Sequence, residues 1–151
     1  MSQIFIITLI VHVISGLVGF IATYAILMAL FRKESSIRVL RFSSALAFLS
    51  YMTSWLMGGY YYVLRYGPEV KPVIKSGDNP WAHSFFMETK EHIFLLLPVL
   101  TFMLALIFFV RGEEVVSKGR MKRAVIYITV LTALLALFIT ASGIIISGSA
   151  R

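Results

Sequence analysis

Hydrophobic positions along this chain fall into long unbroken runs rather than into short amphipathic stretches. The runs cover about residues 4–31, 42–64, 84–110 and 124–146. A helix needs about 20 predominantly apolar residues to cross the hydrocarbon of a bilayer. There the backbone must satisfy its own hydrogen bonds, so each run is expected to be a helix rather than an isolated strand. The pattern predicts an all-α fold: a four-transmembrane-helix bundle built from two hairpins. Residues 1–151 then form a single integral membrane domain, with a structured outer segment at about 65–83.

Composition agrees with this reading: 59% of residues are hydrophobic and 14% charged, with a mean hydropathy of +0.88. The first run is expected to remain as a span rather than to be cleaved. It is long, the preceding Met-Ser-Gln carries no positive side chain, and no small-residue cleavage site follows it. The absence of cysteine removes disulfides, thiolate metal sites and covalent haem attachment.

Charge distribution sets the expected orientation. The net charge of +7 comes mostly from two short connections, which hold nine of the fourteen basic residues: Arg32, Lys33, Arg38 and Arg41, then Arg111, Lys118, Arg120, Lys122 and Arg123. The positive-inside rule puts both connections in the cytoplasm and both termini on the non-cytoplasmic side. A multi-pass protein of a plasma or inner membrane is expected, and the basic excess points to topology, not to nucleic acid. Asn79 and Pro80 read as a helix start, and Tyr60, Tyr61, Tyr62, Tyr66 and Trp81 as an aromatic belt at the outer interface.

The basic boundary also serves as a ruler, because a helix rises 1.5 Å per residue. Roughly 30 Å outward from Arg32, Arg41, Arg111 and Arg123 lie His12, Tyr61, His92 and Gly143, at one expected level. Small and hydroxyl residues mark the faces that approach neighbouring helices. These are Ser15, Gly16, Gly19 and Thr23 beside His12; Ser43, Ala47, Ser50, Ser54 and Gly58; and Thr129, Thr132, Ala133, Ala136, Thr140, Gly143 and Ser147. His92 shares a stripe with Phe85, Glu88, Thr89, Leu96 and Val99. It is expected to face inward, since ionisable groups within spans rarely face lipid.

Two histidines at matched depth suggest a shared ligand. The first expectation is one bis-histidine b-type haem between His12 and His92. Gly16 and Gly19 would leave room beside it, Tyr61, Phe85 and Phe94 would supply apolar walls, and the haem would carry electrons near the outer face. This layout is similar to that of small four-helix membrane cytochromes. The resemblance implies a redox, quinol-linked role, and it rests on arrangement rather than on a motif.

The second expectation is a copper, zinc or iron ion on His12 and His92, with His83, Glu88 and Glu91 as alternative ligands or as supporting groups. Glu88 and His92 stand four apart on one helical face. Glu88 is equally suited to orienting His92, and both glutamates have bland readings as interfacial charges. Pro98 is expected to free the Phe94 carbonyl and kink the third helix. A third expectation is an accessory subunit of a larger membrane complex, or a homo-oligomer, with a histidine pair bonded across helices. No charged pathway lines the deeper half, and no hydrolase arrangement stands out.

Overall fold

The structure, a computed structural model, describes residues 2–117 and 119–150. It is all-helical, with no strand among the described residues. Helix α1 spans Gln3–Phe31 and α2 Ile37–Tyr61; α2 continues into a π-helical segment, Tyr62–Val70, and a short helix α3, Lys71–Ser76. The chain then passes a π-helical turn, Ala82–Met87, into α4, Glu88–Ile93, followed by α5, Leu96–Ser117, and α6, Gly119–Gly148. Three helices are long and apolar enough to cross a membrane: Gln3–Phe31, the composite Ala82–Ser117, and Gly119–Gly148. The fourth long helix, α2, is less apolar because it carries serines, Thr53, Trp55 and tyrosines.

Apolar side chains cover the outside as well as the inside. Leu17, Ile21, Leu49, Phe109, Val110 and Leu134 are all exposed, as suits helices whose outer surfaces meet lipid. The interior changes character along its length. At the basic end Ile26, Leu30, Leu40, Leu104, Phe108, Val115 and Val125 form a close apolar cluster. Midway the core narrows to Ala22, Ala47, Tyr51, Leu97 and Ala136. At the histidine end Tyr66, Ile74, Ala82 and Ile146 pack together.

The expected small-residue faces hold on the first hairpin. Gly19, Thr23, Ser43, Ala47 and Ser50 are buried, and glycine sets the close approach of α1 and α2. A Cβ at Gly16 would lie 3.3 Å from the Ser54 hydroxyl, and one at Gly19 only 2.8 Å from the Tyr51 ring. Buried threonines return their hydroxyls to their own helices, as Thr129 does to Val125 at 2.8 Å. On α6 the stripe holds at Thr129, Thr132 and Ala136, but Thr140 and Ser147 are exposed and Ser142 and Ile146 are buried instead. The buried face shifts because Ile146 is covered by the packed segment carrying Tyr66 and Ala82.

The third span differs from the continuous helix expected over 84–110. It begins as expected after Asn79 and Pro80, whose carbonyls accept from Ala82 and His83 at 3.0 and 3.2 Å. It breaks between Ile93 and Leu96, and there the Leu97 N–H turns back onto the Phe94 carbonyl at 3.1 Å. That bond satisfies the carbonyl that Pro98 leaves without its usual helical donor. The helix also runs past Val110 to Ser117, with non-helical backbone at Arg111 (φ −124°, ψ 20°). Much of the expected basic loop is therefore helical; Lys118 lies outside the described residues.

Arg41 reaches across from α2 to this irregularity. Its Nε donates to the Phe108 carbonyl at 3.0 Å and its Nη2 to the Phe109 carbonyl at 3.3 Å, with the guanidinium 5.8 Å from the Phe109 ring centre. Hydrogen bonds from a charged donor contribute about 1.5–3 kcal/mol each at best, and less where water competes. Arg41→Ala is expected to destabilise the protein by about 1–3 kcal/mol. Thermal unfolding in detergent checks this; an unchanged midpoint would show that water replaces the guanidinium without loss.

Candidate functional site

His12 lies where α1 meets α2, with its ring laid over Gly58. A Cβ there would fall 2.6 Å from Nδ1 and 2.7 Å from Cε1. Its Nδ1 is 2.7 Å from the Ser54 carbonyl oxygen and 3.1 Å from the Ser54 hydroxyl. That hydroxyl in turn donates to the His12 carbonyl at 3.0 Å. A carbonyl only accepts, so Nδ1 carries the proton and the Nε2 lone pair is left free.

The level mate of His12 on α2 is thus Ser54–Gly58 rather than Tyr61. Tyr61 sits further out and meets Phe5 edge-on at 6.4 Å. The ruler misplaced it because Arg41 is not at the helix boundary: it lies inside α2 and turns to the α5 carbonyls, so counting outward from it overshoots.

His92 does not face the bundle interior. It is exposed, as are Phe85, Glu88, Leu96 and Val99 on the same stripe. Its Nδ1 donates to the Glu88 carbonyl of its own helix at 2.5 Å. His12 and His92 thus turn in different directions, and the wall expected from Phe85 is absent, whereas Phe94 packs against Trp55 at 6.3 Å. The ionisable group of α4 that turns toward α6 is Lys90. Its Nζ lies 3.5 Å from where a Cβ on Gly143 would stand, and its charge acts on the His12 ring. Lys90 was passed over in the sequence, although Leu97 and Thr101 continue its stripe and both are buried.

A second polar group forms between the irregular segments. His83 is 1% exposed. Its Nδ1 is 2.9 Å from the Tyr66 hydroxyl and its Nε2 is 3.8 Å from Oε1 of Glu88. Tyr66 is buried rather than part of an interfacial belt, stacked on Tyr62 at 5.4 Å between ring centres. Burial, then the neighbouring Tyr62 and Glu91, pushes its phenol up to about 12, so it stays protonated at neutral pH. Arg65 pairs with Glu69. Among the described residues three buried side-chain polar atoms have no hydrogen-bond partner: His83 Nε2, Glu91 Oε1 and Arg65 Nε.

Among the described residues no three His, Asp or Glu side chains converge as a ready metal cage. His83 and Glu88 come together, with the Glu91 charge acting on His83, whereas His12 and His92 stand apart from them and face different ways. No protein-family model, characterised protein or solved structure matches this chain.

Proposed function

We propose that this protein is a membrane electron carrier with a b-type haem held on His12. In this reading α1, α2, the composite third helix and α6 all cross the bilayer. The basic end faces the cytoplasm, and both termini lie on the non-cytoplasmic side. The lower hydropathy of α2 is consistent with a span, because its Ser43, Ser44 and Ser50 are buried against other helices while Phe42, Leu49 and Leu56 face outward.

The observation that carries the haem reading is the 2.7 Å bond from His12 Nδ1 to the Ser54 carbonyl. Ligand histidines characteristically have the other ring nitrogen tied in this way, which fixes the tautomer and makes Nε2 a better donor. Gly58 keeps bulk away from the ring, and Lys90 would supply a cation for a propionate. His92 also has Nδ1 tied to a carbonyl and Nε2 free, but it faces away. His12 would hold the haem iron through Nε2, and His92 would supply a second imidazole if α4, a short helix between two irregular segments, turned to bring it in. The exposed apolar faces suit a quinol arriving through the bilayer as electron donor.

The test is the visible spectrum of the purified protein, expressed with haem supplied, before and after reduction. A Soret band is expected in the wild type and absent in His12→Ala. Sharp α and β bands on reduction, lost in His92→Ala, assign the second ligand to His92. A featureless spectrum of the folded wild type overturns the reading and leaves an accessory subunit.

A further inference from the structure

The group around His83 is separate from His12 and carries an inference that does not rest on haem. Its central fact is a bare nitrogen. His83 is almost wholly enclosed, yet Nε2 has no hydrogen-bond partner. Leaving a buried polar atom unpaired costs about 1–3 kcal/mol, so such an atom calls for a missing partner. Glu88 Oε1 stands 3.8 Å from Nε2, beyond hydrogen-bond reach. Glu91, whose charge also acts on His83, has its Oε1 buried and without a hydrogen-bond partner.

The spacing discriminates between candidate partners. A water hydrogen-bonded to both Nε2 and Oε1 at ordinary lengths would need its partners about 4.5 Å apart for a tetrahedral angle. Metal–nitrogen and metal–oxygen bonds of about 2.0–2.2 Å put the two donors about 3.4–3.8 Å apart, for angles from tetrahedral to moderately open. The observed separation suits the shorter bonds.

Tyr66 completes the argument. If His83 Nδ1–H donates to the Tyr66 oxygen across 2.9 Å, the Nε2 lone pair is directed toward Glu88, and the phenol acts as the outer partner that orients the imidazole. The side chain of Glu88 is about half exposed, at 52%, which gives an ion a route from water.

We propose that His83 Nε2 and Glu88 Oε1 bind a divalent transition cation of the zinc or copper type, with water filling the remaining positions. The charges acting on His83 are Glu88 and Glu91 on one side of the balance and Lys71 and Lys75 on the other. An incoming cation therefore meets two carboxylates but also two ammonium groups. This mixture makes the site exchangeable rather than a permanent structural centre.

The experiment is calorimetric titration of the full chain in detergent with Zn²⁺, after any polyhistidine tag has been cleaved. The wild type is expected to bind about one Zn²⁺ per chain by one His and carboxylate oxygens. Co²⁺ in place of Zn²⁺ is expected to give a visible absorption that Zn²⁺ displaces. His83→Gln and Glu88→Gln are each expected to weaken binding at least tenfold, and Tyr66→Phe to weaken it less. Glu113→Gln, at the other end of the bundle, is expected to leave it unchanged. Glu88 is exposed, so Glu88→Gln decides the matter even if His83→Gln does not fold. Absence of saturable binding, or binding indifferent to Glu88→Gln, overturns the proposal. The titration is run on haem-free protein, so its outcome is independent of the spectrum of His12.

Discussion

Gly58→Ala is expected to remove the haem without altering a ligand. The added Cβ would sit 2.6 Å from His12 Nδ1 and 2.7 Å from Cε1, well inside van der Waals contact. The ring cannot give way as a flexible chain end does, because Nδ1 is tied to Ser54. Displacing it breaks that bond, which contributes about 1 kcal/mol net, so the bundle still folds. What is lost is the fixed direction of Nε2. Haem per folded chain should fall at least tenfold, with helicity by circular dichroism preserved. Gly59→Ala is the control, since a Cβ there meets nothing within 4 Å. If Gly58→Ala binds haem as the wild type does, His12 does not hold it in this orientation.

Phe108→Ala is expected to be the most destabilising single truncation. Phe108 is 0% exposed and packs with Ile26, Leu30, Leu40, Leu104 and Val115. Replacing a buried phenylalanine by alanine typically costs about 3–5 kcal/mol through lost contacts and the cavity left behind. Between membrane helices the contribution is mainly packing, because lipid is as apolar as the core. The midpoint of thermal or denaturant unfolding in micelles should fall sharply. Zinc bound per folded chain at low temperature should not change, because the His83 group lies at the opposite end. Loss of zinc binding at temperatures where the variant stays folded would show that the two ends are coupled.

Much of the framework was legible from the apolar runs, because helices in so apolar a chain have little choice of conformation. The inward face of the first hairpin was legible too, since glycine, serine and alanine at helical spacing on α1 and α2 mark close backbone approach. The face of the third span was not. His92 and Lys90 stand on opposite sides of α4, and both are ionisable, so the rule that such groups face inward could not choose between them. Thr101, buried on the Lys90 side, was the available tie-breaker. The burial of His83 was beyond periodicity altogether. It depends on how two π-helical segments fold Tyr66 and Ala82 against each other, a tertiary fact with no repeating signature in the residues between.

The short connection between α1 and α2 bears on how a soluble molecule could meet this protein. Helices α5 and α6 end and begin at Ser117 and Gly119, and α1 and α2 are joined only through residues 32–36. The basic end therefore offers a soluble protein little beyond helix tips, whereas residues 62–93 at the other end form a folded cap with its own relief. On the function proposed above, a water-soluble partner would find its footing on that cap, beside Glu88 and His83, and the traffic of this molecule with the aqueous phase would be one-sided.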